Sequence, residues 1–286
     1  MINTNAAENK FLAAIRKLSK VKIPKNASIE DYEKIAVAID YKKLQPYIQR
    51  YAISVLRNNR NGFKGIINAL IRGSNNPKAQ DKLNKAFANL MKEEKIFKPI
   101  LDKFQQNVKL IKNIPDYVAE RLKSAYEKGI SFRGNEIEKF LQSELGKRAK
   151  LIVRTESSKL SSALTETRAR TLGIPAYIWS TSSDQRVRPS HQFMDGTMVF
   201  WNTTLTLDKM QGHAGEFPNC RCVGIPVVEL EDIQFPIKVA ENNPVVNSKY
   251  VKGSKGKKYD VKIEHGTFKS YTKSEFMQKY GHLWRD

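Results

Sequence analysis

The chain has 286 residues, 40% of them apolar and 28% charged, with only two cysteines. It is long enough to bury one large or two modest cores. No apolar run approaches the roughly 18 residues of a membrane span, so an intrinsic membrane protein and a disulfide-stapled scaffold are both excluded. The net charge of +21 is unevenly spread: residues 1–112 hold 23 Lys/Arg against 9 Asp/Glu (+14), residues 113–246 hold 17 against 16 (+1), and residues 247–286 hold 10 against 4 (+6). A neutral middle between two basic flanks suits a folded core with two segments drawn to polyanions; a basic but merely solvated surface is the alternative. The opening Met1-Ile2-Asn3-Thr4-Asn5-Ala6 lacks the basic region, apolar stretch and cleavage site of a secretory signal, so folding in a cytoplasm is expected. Cys220 and Cys222, two residues apart, rarely meet disulfide geometry and are read as thiols or metal ligands.

The chain begins with a basic helical region, residues 1–112. Phe11, Ile15 and Leu18 recur at helical spacing, as do Phe63, Ile66, Ile67, Leu70 and Ile71. Pro24 and the runs Asn58-Asn59-Arg60-Asn61-Gly62 and Gly73-Ser74-Asn75-Asn76-Pro77 are expected to be loops. The aromatics Phe87, Phe97 and Phe104 also fall at helix-like intervals, where core packing outweighs base stacking as an explanation. A helix then starts at Ile114-Pro115 and stops at Gly129. Another carries Ile137, Leu141, Leu145, Ile152, Val153, Leu160 and Leu164 on its apolar face until Leu172-Gly173-Ile174-Pro175 ends it.

Short apolar runs follow, read as strands: Tyr177-Ile178-Trp179, Met198-Val199-Phe200-Trp201 and Cys222 to Val228. Residues 229–247, with Pro236, Pro244 and several acids, are read as a linker to a basic C-terminal module, 248–286. That module carries a lysine-glycine run at 251–258, expected to be mobile, continues with alternating Tyr259, Val261 and Ile263, and ends in a short helix announced by the capping-box pattern Thr272-Lys273-Ser274-Glu275. No internal repeat is found. The fold class expected is α+β, with central helices followed by a small β-rich end.

Four pieces stand in order within about 70 residues: Arg154-Thr155-Glu156 in a helix, Trp179, the segment Asp184-Gln185-Arg186-Val187-Arg188-Pro189-Ser190-His191 followed by Asp195-Gly196, and Pro218-Asn219-Cys220-Arg221-Cys222. Together they resemble the phage head-morphogenesis family, the Mu F-like minor head proteins, over residues 113–228. That family carries an Arg-Thr-Glu helix, an Asp-x-Arg-Val-Arg-x-x-His segment and a terminal His-Pro-Asn-Cys-Arg-Cys. The resemblance implies a virion protein acting in head assembly and DNA packaging inside the capsid near the portal vertex. Its implied partners are the portal protein, scaffold and major capsid protein, with no catalysis involved; the charge map independently adds packaged double-stranded DNA held non-specifically through the basic flanks, and the lack of an apolar span argues against a membrane. The sequence departs from the family at Phe217, where the family carries the histidine; the nearest histidine here is His213.

The residues themselves offer sharper expectations. His191, Cys220 and Cys222, with His213 or Asp184 as a fourth group, are the nitrogen and sulfur donors of a structural zinc site; buried thiols beside a hydrogen-bonded histidine are the alternative. Glu156 is expected to receive Arg186 or Arg188 and so to fix the Asp184–His191 loop. Arg154, Ser180 and Glu231 follow the order found in one class of ADP-ribosyltransferases, but that chemistry needs arginine and serine on neighbouring strands, whereas Arg154 lies in a helix-periodic stretch. A plain non-specific DNA-binding protein is the remaining alternative, although no recognition helix, zinc-finger spacing or RNA-binding signature is present.

Overall fold

A computed structural model describes residues 5–22, 36–73, 97–130, 135–252 and 259–284, with Asp81, Asn84, Lys85 and Ala88 as isolated positions. Pro24, the run from Ser74 to Pro77, Phe87 and the lysine-glycine run from Gly253 to Lys258 lie outside the described residues. The architecture is α+β, as expected. The chain forms two compact units, neither contiguous in sequence: Met1–Asn58 with Lys98–Leu160, and Asn59–Phe97 with Ser161–Asp286.

The first unit contains α1 (Asn5–Leu18), the antiparallel pair β1 (Ser19–Lys22) and β2 (Ala36–Ile39), and the first half of α2 (Tyr41–Gly73). It continues with α3 (Lys98–Val108), a 3-10 turn at Lys109–Asn113, α4 (Ile114–Glu127) and most of α5 (Glu136–Thr171). Its core is helical: Phe11, Ile15, Phe104, Leu141 and Leu145 are buried as expected, and Leu44, Ile48, Val108, Val118 and Leu122 are buried with them. Pro115 sits at the start of α4, where its missing N–H costs no helical hydrogen bond, and Gly129 ends that stretch at φ 69°, a conformation open to glycine.

The expectation of a loop at 58–62 is corrected, because these residues lie inside α2. Asn59 is buried and spends its amide on Ser161 and Thr165 instead of competing for its own backbone. Phe63 and Ile67, one and two turns on, are fully packed and hold the helix together through the asparagines.

The second unit takes the end of α2, the end of α5 and everything after. Gly173, at φ 74°, closes α5, with Ile174 N donating to Ala169 O at 2.9 Å. Then come β3 (Ala176–Ser180), α6 (Pro189–Met194), β4 (Met198–Phe200), β5 (Thr206–Leu207), β6 (Met210–Gln211), β7 (Val223–Pro226), β8 (Ile237–Ala240), β9 (Val245–Lys252), β10 (Tyr259–His265), β11 (Phe268–Tyr271) and α7 (Lys273–Tyr280). They build a five-stranded sheet, β11-β8-β4-β3-β7, and a four-stranded sheet, β10-β9-β5-β6; β4 with β8 and β5 with β9 are the parallel pairs.

Period-two alternation places side chains on both faces of the larger sheet. Tyr177, Trp179, Val199 and Ala240 enter one core, while Ala176, Met198, Phe200, Ile237 and Val239 enter the other. Burial on both faces explains why these strands read as continuous apolar runs.

Two further expectations are corrected here. Residues 229–247 are not a linker, since they supply β8 and the start of β9. Nor is 248–286 a separate module: β11 pairs with β8, and Tyr271 and Phe276, 1% and 0% exposed, complete the second core, with Tyr280 and Trp284 packed against it. The capping box at Thr272 and Glu275 forms as expected at the start of α7.

Candidate functional site

The signature residues of the second half converge on α6 and the loop after β6. Pro189 opens α6, and the one-turn helix places Ser190 and His191 inward, 0% and 2% exposed. Ser190 Oγ donates to Asp208 Oδ2 at 2.5 Å, its N–H donates to Ser248 Oγ at 3.1 Å, and Ser248 N donates to Asp208 Oδ1 at 2.6 Å. Burial pushes the Asp208 carboxyl up, but these donors outweigh it and hold the group below the ordinary carboxylate range. The start of α6 is thereby fastened to the β5–β6 turn and to β9.

His191 lies edge-on to two buried rings, Trp179 at 5.6 Å and Phe217 at 4.8 Å between centroids. Its Nδ1 faces both thiols, 3.4 Å from Cys222 Sγ and 3.5 Å from Cys220 Sγ. Neither cysteine forms a disulfide. In the sequence Cys220-Arg221-Cys222 the two sulfurs turn inward and the guanidinium outward. Cys222 N donates to Cys220 Sγ at 3.4 Å. Hydrogen bonding between the two thiols pushes Cys220 down and Cys222 up.

The loop bearing the thiols is braced from the Asp184–His191 segment. Arg221 grips Asp184 with both guanidinium nitrogens, one of them at 2.6 Å, and Arg188 Nη2 donates to Pro218 O at 2.6 Å. Arg186 completes the cluster, donating to Asp184 through its backbone at 2.9 Å and its side chain at 3.2 Å. Arg221 beside it holds the Asp184 carboxyl far below the usual carboxylate range. Asp195 accepts from Thr181 N at 2.8 Å, and Gly196, at φ 70°, donates to Trp179 O at 2.9 Å, so this pair of motif residues shapes the turn into β4. Gly224 in β7 has a steric reason: a Cβ there would stand 2.8 Å from the Tyr177 ring.

Several expected partnerships are replaced. Glu156 does not receive Arg186 or Arg188; it accepts from Asn107 at 2.8 Å and from Lys159, one turn on, at 3.2 Å. Arg154 donates to Glu8 at 2.8 Å from within α5. An arginine on a helix cannot supply the strand-to-strand clamp of an ADP-ribosyltransferase, although Ser180 does end a strand and Glu231 lies in the 3-10 turn Leu230–Asp232. His213 stands apart from the thiols: its Nδ1 meets the Tyr177 hydroxyl at 3.0 Å, its N–H donates to Glu216 at 2.7 Å, and burial pushes its imidazole pKa down. Asp184 is occupied by arginines. Of the four ligands expected, the structure therefore brings together His191, Cys220 and Cys222.

Sequence reasoning missed Ser190, Asp208, Phe217 as a packing wall, and Arg221 as a brace. Only Arg221 carried a signal, its place between two inward cysteines.

The family described as phage Mu protein F like protein matches residues 64–225, which take in every motif residue just described up to β7. An uncharacterized protein of Haemophilus influenzae (strain ATCC 51907 / DSM 11121 / KW20 / Rd) is 35% identical over 149 residues, a match covering 49% of this chain and 31% of the relative's own length. No solved structure matches. With more than half of its length matched, this chain belongs to the phage Mu protein F-like family of head-morphogenesis proteins.

Proposed function

We propose that the protein is a minor head protein that works in capsid assembly and DNA packaging at the portal vertex, in contact with portal protein, scaffold and major capsid protein. The observation that carries this reading is the family match over residues 64–225. The role is structural: the signature residues spend their polar groups on one another, bracing α6, the Cys220–Cys222 loop and the sheet into one packed unit.

Charge supports a second element of the reading, contact with DNA through phosphates. In the first unit Lys10 and Lys17 on α1 and Arg50 on α2 are exposed and line one groove. Each phosphate neutralised contributes a slope of about −0.9 to log affinity against log salt. Full-length protein should bind duplex DNA without sequence preference, and the triple variant Lys10→Glu, Lys17→Glu, Arg50→Glu should weaken it at least tenfold at low salt and flatten the slope by about 2–3. Unchanged affinity and slope in that variant would remove the first unit from DNA contact. Labelling of intact particles tests the location, and protein distributed over the shell away from the portal vertex would refute it.

A further inference from the structure

Two thiols and an imidazole meeting among apolar side chains are an unusual way to fill a core. His191, Cys220 and Cys222 are 2%, 7% and 5% exposed, and the cluster around them includes Trp179, Met194 and Phe217. One ligand atom from each lies within 4.8 Å of the others. Tetrahedral zinc bonded to nitrogen at about 2.0–2.1 Å and to sulfur at about 2.3 Å sets its nitrogen and sulfur ligands about 3.6 Å apart. The two Nδ1–Sγ separations, 3.4 and 3.5 Å, are already close to that edge. We propose that His191 Nδ1, Cys220 Sγ and Cys222 Sγ form a binding site for a thiophilic closed-shell cation, zinc first, which crosslinks α6 to the Pro218–Cys222 loop.

Three features around the trio fit that role. Cys222 N donates to Cys220 Sγ, the kind of amide-to-sulfur bond that supports a coordinated thiolate. Arg221 projects from between the two cysteines, so its positive charge offsets the thiolates formed when both thiols release their protons to solvent on binding. Arg188 and Arg221 hold the loop from outside, so the ligands keep their separation before the cation arrives. The Phe217 ring stands 4.8 Å from the His191 ring between centroids, and among the described residues no further protein donor joins the cluster. The fourth ligand is then a solvent species, and a histidine at position 217 would supply a protein donor in its place.

The test uses full-length protein, reduced and stripped of metal. Addition of zinc alone should load one equivalent by elemental analysis and raise the melting temperature by several degrees. Cobalt in its place should give thiolate-to-metal charge-transfer absorption. The double variant Cys220→Ser, Cys222→Ser should lose both responses while circular dichroism reports a folded chain. Phe217→His separates ligation from folding because its two effects oppose: it should lower the melting temperature of the metal-free protein, since a buried ring is lost, yet tighten zinc at least tenfold. The proposal is overturned if folded wild type and Phe217→His both fail to retain zinc or to shift with it. It is equally overturned if zinc loading survives in the double serine variant, which would place the cation elsewhere. Anaerobic titration with monovalent copper distinguishes the ion: one equivalent of copper with no zinc bound would keep the site and overturn zinc as its occupant.

Discussion

Arg168 enters the core of the second unit at 1% exposure with no carboxylate opposite it among the described residues. Its guanidinium donates to Asn59 Oδ1 and lies over the Phe97 ring at 4.6 Å. Burial pushes its pKa down to about 10, with Arg60 adding repulsion, so the cation is retained at neutral pH at a cost to stability. Asn59 offsets part of that cost: its carbonyl faces the guanidinium while its amide donates to Ser161 O at 2.9 Å and Thr165 Oγ1 at 2.8 Å. Asn59→Ala should therefore destabilise by about 2–3 kcal/mol, because a buried charged donor loses its acceptor. Arg168→Met, which removes the charge itself, should be close to neutral. Denaturant midpoints of the two variants settle the order, and an Arg168→Met loss as large as that of Asn59→Ala would show that the cation contributes stability beyond its pairing. None of this was legible in the sequence, where Asn59 reads as a loop former; its partners lie more than 100 residues away. Asp184, Arg188 and His191 were legible as a set from their motif, but the partner of Asp184 was not. Glu156 was assigned to distant arginines when a lysine one turn along its own helix was the simpler choice.

At the scale of elements, α4 and the end of α5 were legible because apolar spacing and terminal Gly and Pro agree, as at Pro115, Gly129 and Gly173, whereas α2 was broken at its asparagines and the β1–β2 pair was lost within a stretch read as helical. The strands β8 and β9 were missed for an identifiable reason. Each is preceded by a proline, Pro236 and Pro244, and proline is tolerated at a strand's first positions while reading as a break in sequence. The acids nearby completed the impression of a linker, yet Glu241, just after β8, is no solvated charge. It accepts from Lys279 at 2.7 Å and from the hydroxyls of Tyr271 and Tyr280, tying the end of β8 to β11 and α7. Burial pushes its carboxyl up, but the three donors outweigh it and hold the pKa at about 2. A carboxylate depressed on folding stabilises fully above its unfolded pKa of about 4.3, and that contribution is lost as pH falls from there towards 2. Wild type should accordingly lose stability over that window more steeply than Glu241→Gln. At pH 7 the variant should be weaker by roughly 1–3 kcal/mol. Parallel acid limbs for the two proteins would show that Glu241 titrates normally.

For the whole molecule, the charge segments of the sequence and the packed units of the structure do not coincide. The +6 segment that looks like an appendage belongs to the second unit, and the neutral segment 113–246 is divided between both units. Charge therefore does not mark the boundaries, since a lysine-rich strand can present its cations to solvent while its apolar alternates close a core. The distinction can be measured by ending the chain at Asn247. That truncation removes β10, β11, α7 and most of β9, and with them Tyr271 and Phe276 from one core and the packed Ile263 and Phe268 from the other. Losing a buried aromatic typically costs about 3–5 kcal/mol, so two such losses approach the whole stability of a domain, about 5–15 kcal/mol. Tryptophan fluorescence reads the outcome for the second unit alone, because Trp179, Trp201 and Trp284 all lie in it. Trp179 and Trp201 are 0% and 4% exposed and remain in the truncated chain, so their emission should shift to the red as the unit opens. The control keeps the full chain and replaces Lys255, Lys257 and Lys258 with glutamine, removing three charges, and its emission should stay at the wild-type position. Emission of the truncated chain matching that of wild type would mean that residues 248–286 are separable after all, and that β8 keeps its place without β11 beside it.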